Sequence, residues 1–185
     1  MSDARDAGGW LVTSLGLITW FAPGEFHVGP WPANLRRVKP QESIVDMMHE
    51  IRSELGLPVL ITSGVRTRAA NSSAGGSPTS LHLTGEAADW KVGSRTAPAK
   101  KGWELIHLLE HLTERGRTGR YGIYHRLDGG HVHTDRDTSR GLRRWVTLGD
   151  GTKNIVSMDV FLDRFGVEIP EELRVVDANR ALGWL

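Results

Sequence analysis

The sequence predicts an α+β fold, a small antiparallel sheet with helices packed on one face. Three observations predict it. Apolar residues recur at helical spacing in two stretches, and short strand-forming runs bounded by Gly, Pro and Ser clusters accompany them. The order helix, strand, strand, helix, strand, strand is that of an α+β domain with an antiparallel sheet.

The first forty residues, rich in Trp, Pro and Gly, read as an irregular packed segment. From Pro40 a helix is expected: Ile44, Met48, Ile51 and Leu55 recur at three- and four-residue spacing, and Gly56 stands just past the end. Pro58 to Thr62 is a β-branched run expected as a buried strand. Ser63 to Ser80, rich in Ser, Gly and Asn, reads as a loop, and Ala87 to Val92 as a second strand. Ala99 to Arg115 is expected to be an amphipathic helix with Leu105, Ile106, Leu108, Leu109 and Leu112 on one side. Strands are expected at Tyr121 to His125 and Gly130 to Thr134. Residues 1–149 are expected to form the domain. Residues 150–185 read as a C-terminal helical extension, with one helix near Ser157 to Phe165 and a second from Pro170, suited to docking on a partner.

Composition narrows the function classes. A net charge of +1 and a pI near 8.2 imply neither nucleic acid nor an acidic membrane as partner. The chain has no cysteine, so a metal would have to be held by His, Asp, Glu or water. The apolar stretch Leu11 to Ala22 is too short for a transmembrane segment and is broken by Thr13, Ser14 and Thr19. No basic region precedes it and no small-residue cleavage site follows, so a signal peptide is not expected. The expected location is the cytoplasm of the producing cell or a virion.

The segment Ser80-Leu-His82-Leu-Thr-Gly85-Glu-Ala87-Ala-Asp89 carries the chemistry. Gly85 permits a tight reversal, so that His82 before the turn and Asp89 on the returning strand can face one point. Imidazole and carboxylate are good zinc ligands, and a catalytic site wants three protein ligands and an open position. The bland alternative is a surface His in a loop and an Asp at a strand end. A third ligand is expected from Asp128-Gly-Gly-His131-Val-His133, where strand alternation puts both histidines on one face. Asp128, across two glycines from His131, is close enough to act as a general base.

Ser-x-His-x-x-Gly-x-Ala-x-Asp followed by a His-Val-His strand resembles the D-alanyl-D-alanine zinc peptidases, which share a fold with lysostaphin-type peptidases and the hedgehog domain. The resemblance runs from about Phe21 to Trp145 and includes Ile61-Thr-Ser-Gly-Val-Arg66 and Gly122-Ile-Tyr124. It implies that His82, Asp89 and His131 hold Zn2+, since the closest members read His-x-Asp with the His aligned to His131. His133 stands where those members carry Asp. Lysostaphin-type relatives instead ligate through the second His of a His-x-His pair and use the first in catalysis, which keeps His133 as the reserve ligand. The resemblance further implies Asp128 or His133 as the group that takes a proton from water. It implies Arg66 as the cation steadying substrate or oxyanion, and Ser80 as a substrate contact.

A rival motif, His107-Leu-Leu-Glu110-His111, matches the inverted zincin pattern but falls opposite the leucine stripe of its helix, where a solvated polar face explains it. The seven tryptophans read as core and rim packing, with one or two near the site able to line a groove. The implied function is zinc-dependent hydrolysis of peptidoglycan stem peptides, of D,D-endopeptidase or D-Ala-D-Ala carboxypeptidase type, in a phage-encoded or virion-associated lytic enzyme. The alternative is a structural phage tail or baseplate component that keeps the fold with little activity.

Overall fold

Helix α1 (Glu42–Leu55) forms where the three- and four-residue spacing places it. Its buried face carries Ile44, Val45, Met47, Met48 and Ile51, and Gly56 ends it in the left-handed region that glycine adopts without strain. The computed structural model describes residues 5–28, 31, 38–93, 109, 120–124, 131–137, 144–147 and 155–157.

A short hairpin, β1 (Arg5–Ala7) with β2 (Trp10–Val12), comes first, followed by a 3-10 turn at Pro23–Phe26 and strand β3 (His27–Val28). The stretch expected to be irregular thus contains regular pieces. After α1 come β4 (Val59–Ser63), β5 (Val65–Arg66) and helix α2 (Arg68–Ser73). The expected loop from Ser63 to Ser80 therefore holds a strand and a helix. Its polar composition hid both: β5 pairs in parallel with β3, a partner far off in sequence, and α2 starts on a Thr67 side-chain cap accepting from Ala70 N.

Strands β6 (Ala87–Val92), β7 (Arg120–Tyr124), β8 (His131–Asp135), β9 (Arg144–Thr147) and β10 (Ile155–Ser157) complete a six-stranded sheet, ordered β10-β9-β7-β8-β6-β4. Its centre, β4-β6-β8-β7, is antiparallel as expected. The expectation fails at β9, which runs parallel to β7. Although it follows β8 in the chain, β9 lies beside β7 on the side away from β8, so strand order along the chain does not reveal the pairing. Ser157, expected to begin a helix, ends β10.

One sheet face is apolar. Ala88, Trp90, Val92, Tyr121, Ile123 and Val132 alternate onto it and join α1, Phe21, Phe26 and Leu109 in one core. Each large side chain withdrawn from water there contributes about 1.5–3 kcal/mol. Thr134, the polar residue on this face, accepts from Trp90 Nε1 at 3.2 Å. The opposite face carries Asp89, His133, Asp135 and Arg120. Leu109 is the described residue of the expected helix at Ala99 to Arg115 and is fully buried; the rest of that helix and those expected beyond Ser157 lie outside the described residues. Among the described residues no helix is long and apolar enough to cross a membrane.

Candidate metal centre

Sheet register assembles the site. Ser63 pairs with Asp89, Asp89 with His133, His133 with Gly122, and Gly122 with Trp145, so a single cross-strand row runs from β4 to β9. Directly paired residues share a face, with side chains about 4.5–5.5 Å apart at Cβ. Asp89 and His133 are therefore neighbours by pairing, although forty-four residues separate them.

His82 arrives from outside the sheet, on a 3-10 turn spanning Leu81–Leu83. Ser80 caps that turn, its Oγ accepting from His82 N at 3.4 Å. Gly85 then reverses the chain into β6 with φ +79, and a Cβ there would lie 2.6 Å from the Lys39 carbonyl oxygen. Any side chain at position 85 would be strained and would collide with the segment entering α1.

Three donor atoms converge. His133 Nδ1 lies 2.8 Å from Asp89 Oδ1 and 3.2 Å from His82 Nε2, and His82 Nε2 lies 3.3 Å from Asp89 Oδ1. With zinc bonds of about 2.0–2.1 Å, two ligand atoms of a tetrahedral site stand about 3.3 Å apart. The triangle is close to that size. All three residues are buried, at 3%, 5% and 8% exposure for His82, Asp89 and His133, so only their ligand atoms need to meet an ion. His82 Nδ1 donates to the Gly64 carbonyl at 2.6 Å, which turns Nε2 into the triangle. The donor set fits Zn2+.

Electrostatics tie the cluster together. Burial alone would raise the Asp89 carboxyl, but hydrogen bonds from His133 and His82 outweigh it and hold the group well below the usual carboxylate range. Burial alone would lower His133, yet hydrogen bonds to Asp135 and Asp89 bring it up to about 9. Arg66 reaches the same carboxylate, with Nη2 donating to Asp89 Oδ2 at 2.5 Å and Nε to Ser63 Oγ at 2.7 Å. The second oxygen of Asp89 is thereby pinned, and Oδ1 is left facing the histidines.

Of the residues singled out in the sequence, His82, Asp89 and the reserve residue His133 form the one possible metal-holding group among the described residues. His131 is on the same strand face, opposite Tyr124, and its ring stacks on the tyrosine at 4.5 Å between centroids. Asp128, His107, Glu110 and His111 lie outside the described residues. Trp145 borders the site, its ring 5.4 Å from that of His133, while Trp90 is core and Trp10 and Trp20 are half exposed.

Sequence reasoning passed over two residues here. Asp135 is fully buried and faces His133 Nε2, and Arg120 is paired with it. The sequence does carry a signal: His133-Thr134-Asp135 itself reads His-x-Asp, two residues beyond His131.

Comparison with protein families places residues 27–135, more than half of the chain, in a match described as Peptidase M15. The matched span contains Arg66, His82, Asp89 and His133 and ends at Asp135. Comparison with curated proteins finds no match.

Proposed function

The chain belongs to the Peptidase M15 family, and from that premise we propose that it is a zinc peptidase that hydrolyses peptide bonds in the stem peptides of bacterial peptidoglycan. The observation carrying this reading is the convergence of His82 Nε2, Asp89 Oδ1 and His133 Nδ1 to within 3.3 Å of one another inside the family-matched span. His133 is taken as the third ligand because it pairs with Asp89 in register, whereas His131 is opposed by Tyr124.

Zinc, when bound, supplies Lewis acidity that polarises a carbonyl and makes water a better acid. The protein's own groups do the rest. Gly64 and Arg66 fix the His82 ring and the Asp89 carboxylate, so the donors are oriented before substrate arrives. The Arg66 guanidinium also brings positive charge beside the position where a carbonyl oxygen would become negative. With His133 as ligand, the strand follows the His-x-His arrangement of lysostaphin-type peptidases, and His131 becomes the proton-transferring group, with Asp128 as its competitor. Ser80 acts through the cap that places His82. A phage-borne lytic role, with the residues beyond β10 as docking segment, completes the reading.

Mass spectrometry of purified peptidoglycan after incubation with the zinc-loaded protein tests it. Fragments that disappear with a chelator are expected, and their masses name the bond cut. Unchanged muropeptides across several wall chemistries would turn the reading to a structural component that keeps the peptidase fold.

A further inference from the structure

We infer that Asp135 is the positioning residue of His133, holding that imidazole with Nδ1 turned into the metal centre. The inference rests on the metal-site reading above and extends it to a side chain outside the ligand set. Alternation on β8 puts His133 and Asp135 on the same face. Asp135 Oδ2 lies 3.3 Å from His133 Nε2, the ring nitrogen that faces away from Asp89 and His82. An ionised carboxylate only accepts, so Asp135 keeps a proton on Nε2, and Nδ1, which faces Asp89, is the nitrogen whose proton an ion would replace.

The carboxylate cannot easily swing away. Arg120 donates to it through Nε, at 3.1 and 3.0 Å to the two oxygens, and through Nη2 at 2.5 Å. Asp137 N donates to Oδ1 at 3.0 Å. Arg120 in turn lies over the Trp145 ring at 5.7 Å, and the same ring packs beside His133. Trp145 can lie there because its neighbour in register is Gly122, where any Cβ would run into the indole. His133 is thus held at one nitrogen by Asp135 and on its side by Trp145. A cross-strand pair serving stability alone would have no need to share Oδ2 with a metal-facing histidine.

The test uses the full-length protein with zinc alone as probe, measuring affinity by competition with a chromogenic chelator. Asp135→Ala is expected to weaken zinc binding about 10- to 100-fold, the usual effect of removing an outer partner of a ligating histidine. Asp135→Asn keeps an accepting oxygen and is expected to lose less. In 15N–1H spectra of the zinc-loaded protein, a slowly exchanging His133 Nε2 proton is expected in the wild type and in Asp135→Asn, and not in Asp135→Ala. If Asp135→Ala does not fold because the half-buried Arg120 loses its partner, the double variant Asp135→Ala/Arg120→Met, which removes both charges, replaces it. Zinc affinity within twofold of wild type in a folded Ala variant, or persistence of the protected Nε2 proton there, overturns the inference. Weakened zinc binding in these variants alongside untouched muropeptides in the wild type would support Asp135 while removing the peptidase reading. A wild type that binds no zinc would overturn both.

Discussion

His131 and His133 share a strand face two residues apart, but only His133 has Asp89 directly across from it, and only its ring meets His82. His133→Ala is therefore expected to lower zinc affinity by more than about 100-fold, beyond the loss of an outer hydrogen-bond partner. His131→Ala is expected to keep its zinc and lose turnover. Metal analysis after gel filtration distinguishes the two, and full zinc in His133→Ala would remove it from the ligand set. Protonation at the same residues sets a pH response. His133 is raised from 6.5 to about 9, so the stability it contributes without metal is complete below pH 6.5 and lost as pH rises through about 9. Asp89 is shifted the other way, and its contribution is present above 3.8 and lost as pH falls. Zinc binding has to expel the His133 proton, so the gain from zinc grows over the window in which the metal-free protein weakens. Thermal melts from pH 5 to 9 with and without zinc should show the metal-free Tm falling above pH 6.5 and the gap between the curves widening. A gap constant with pH would mean that His133 gives up no proton to the metal.

At the scale of elements, β6, β8, β7 and β9 act as a ruler. Their pairings set Asp89, His133, Gly122 and Trp145 in one row, and the lack of a side chain at Gly122 lets Trp145 close over that row. Gly122→Ala is expected to cost about 1–3 kcal/mol, as overpacking generally does, and to displace the indole from His133. Gly24→Ala is the control: a Cβ there meets nothing within 4 Å, and the change should stay within about 0.5 kcal/mol. Urea unfolding of both variants, with Trp fluorescence as a second signal, measures the difference. Equal stability of the two would mean that Trp145 does not rest on Gly122. The turn from Leu81 to Leu83 is the other device, since it delivers His82 to a sheet of which it is not a strand.

Over the whole molecule, the candidate metal centre joins pieces that are distant in the chain. His82 belongs to a turn, Asp89 to β6 and His133 to β8, so an ion held by all three binds the folded state and has little to hold in the unfolded one. Saturating zinc should then stabilise the protein, by about 2.7 kcal/mol at a hundredfold excess over Kd. The same titration with His82→Ala should give a much smaller rise in unfolding midpoint. An equal rise would locate the ion elsewhere.

Local signals in the chain specify α1, through its apolar period and terminal Gly56, and β6, whose ends match the expected Ala87 and Val92. It also singled out His82 and Asp89, because their spacing around Gly85 is a local pattern that a turn can close. Strand alternation put both candidate histidines on one face of β8, and there local information stopped. The choice between His131 and His133 depends on which residue of β6 stands opposite, and a register is set by packing across the sheet. The parallel seat of β9, the pairing of β5 with β3 and the arrival of Trp145 and Arg120 beside the site have the same origin. Each is a contact between segments far apart in the chain. Nothing in their own residues announces the partner.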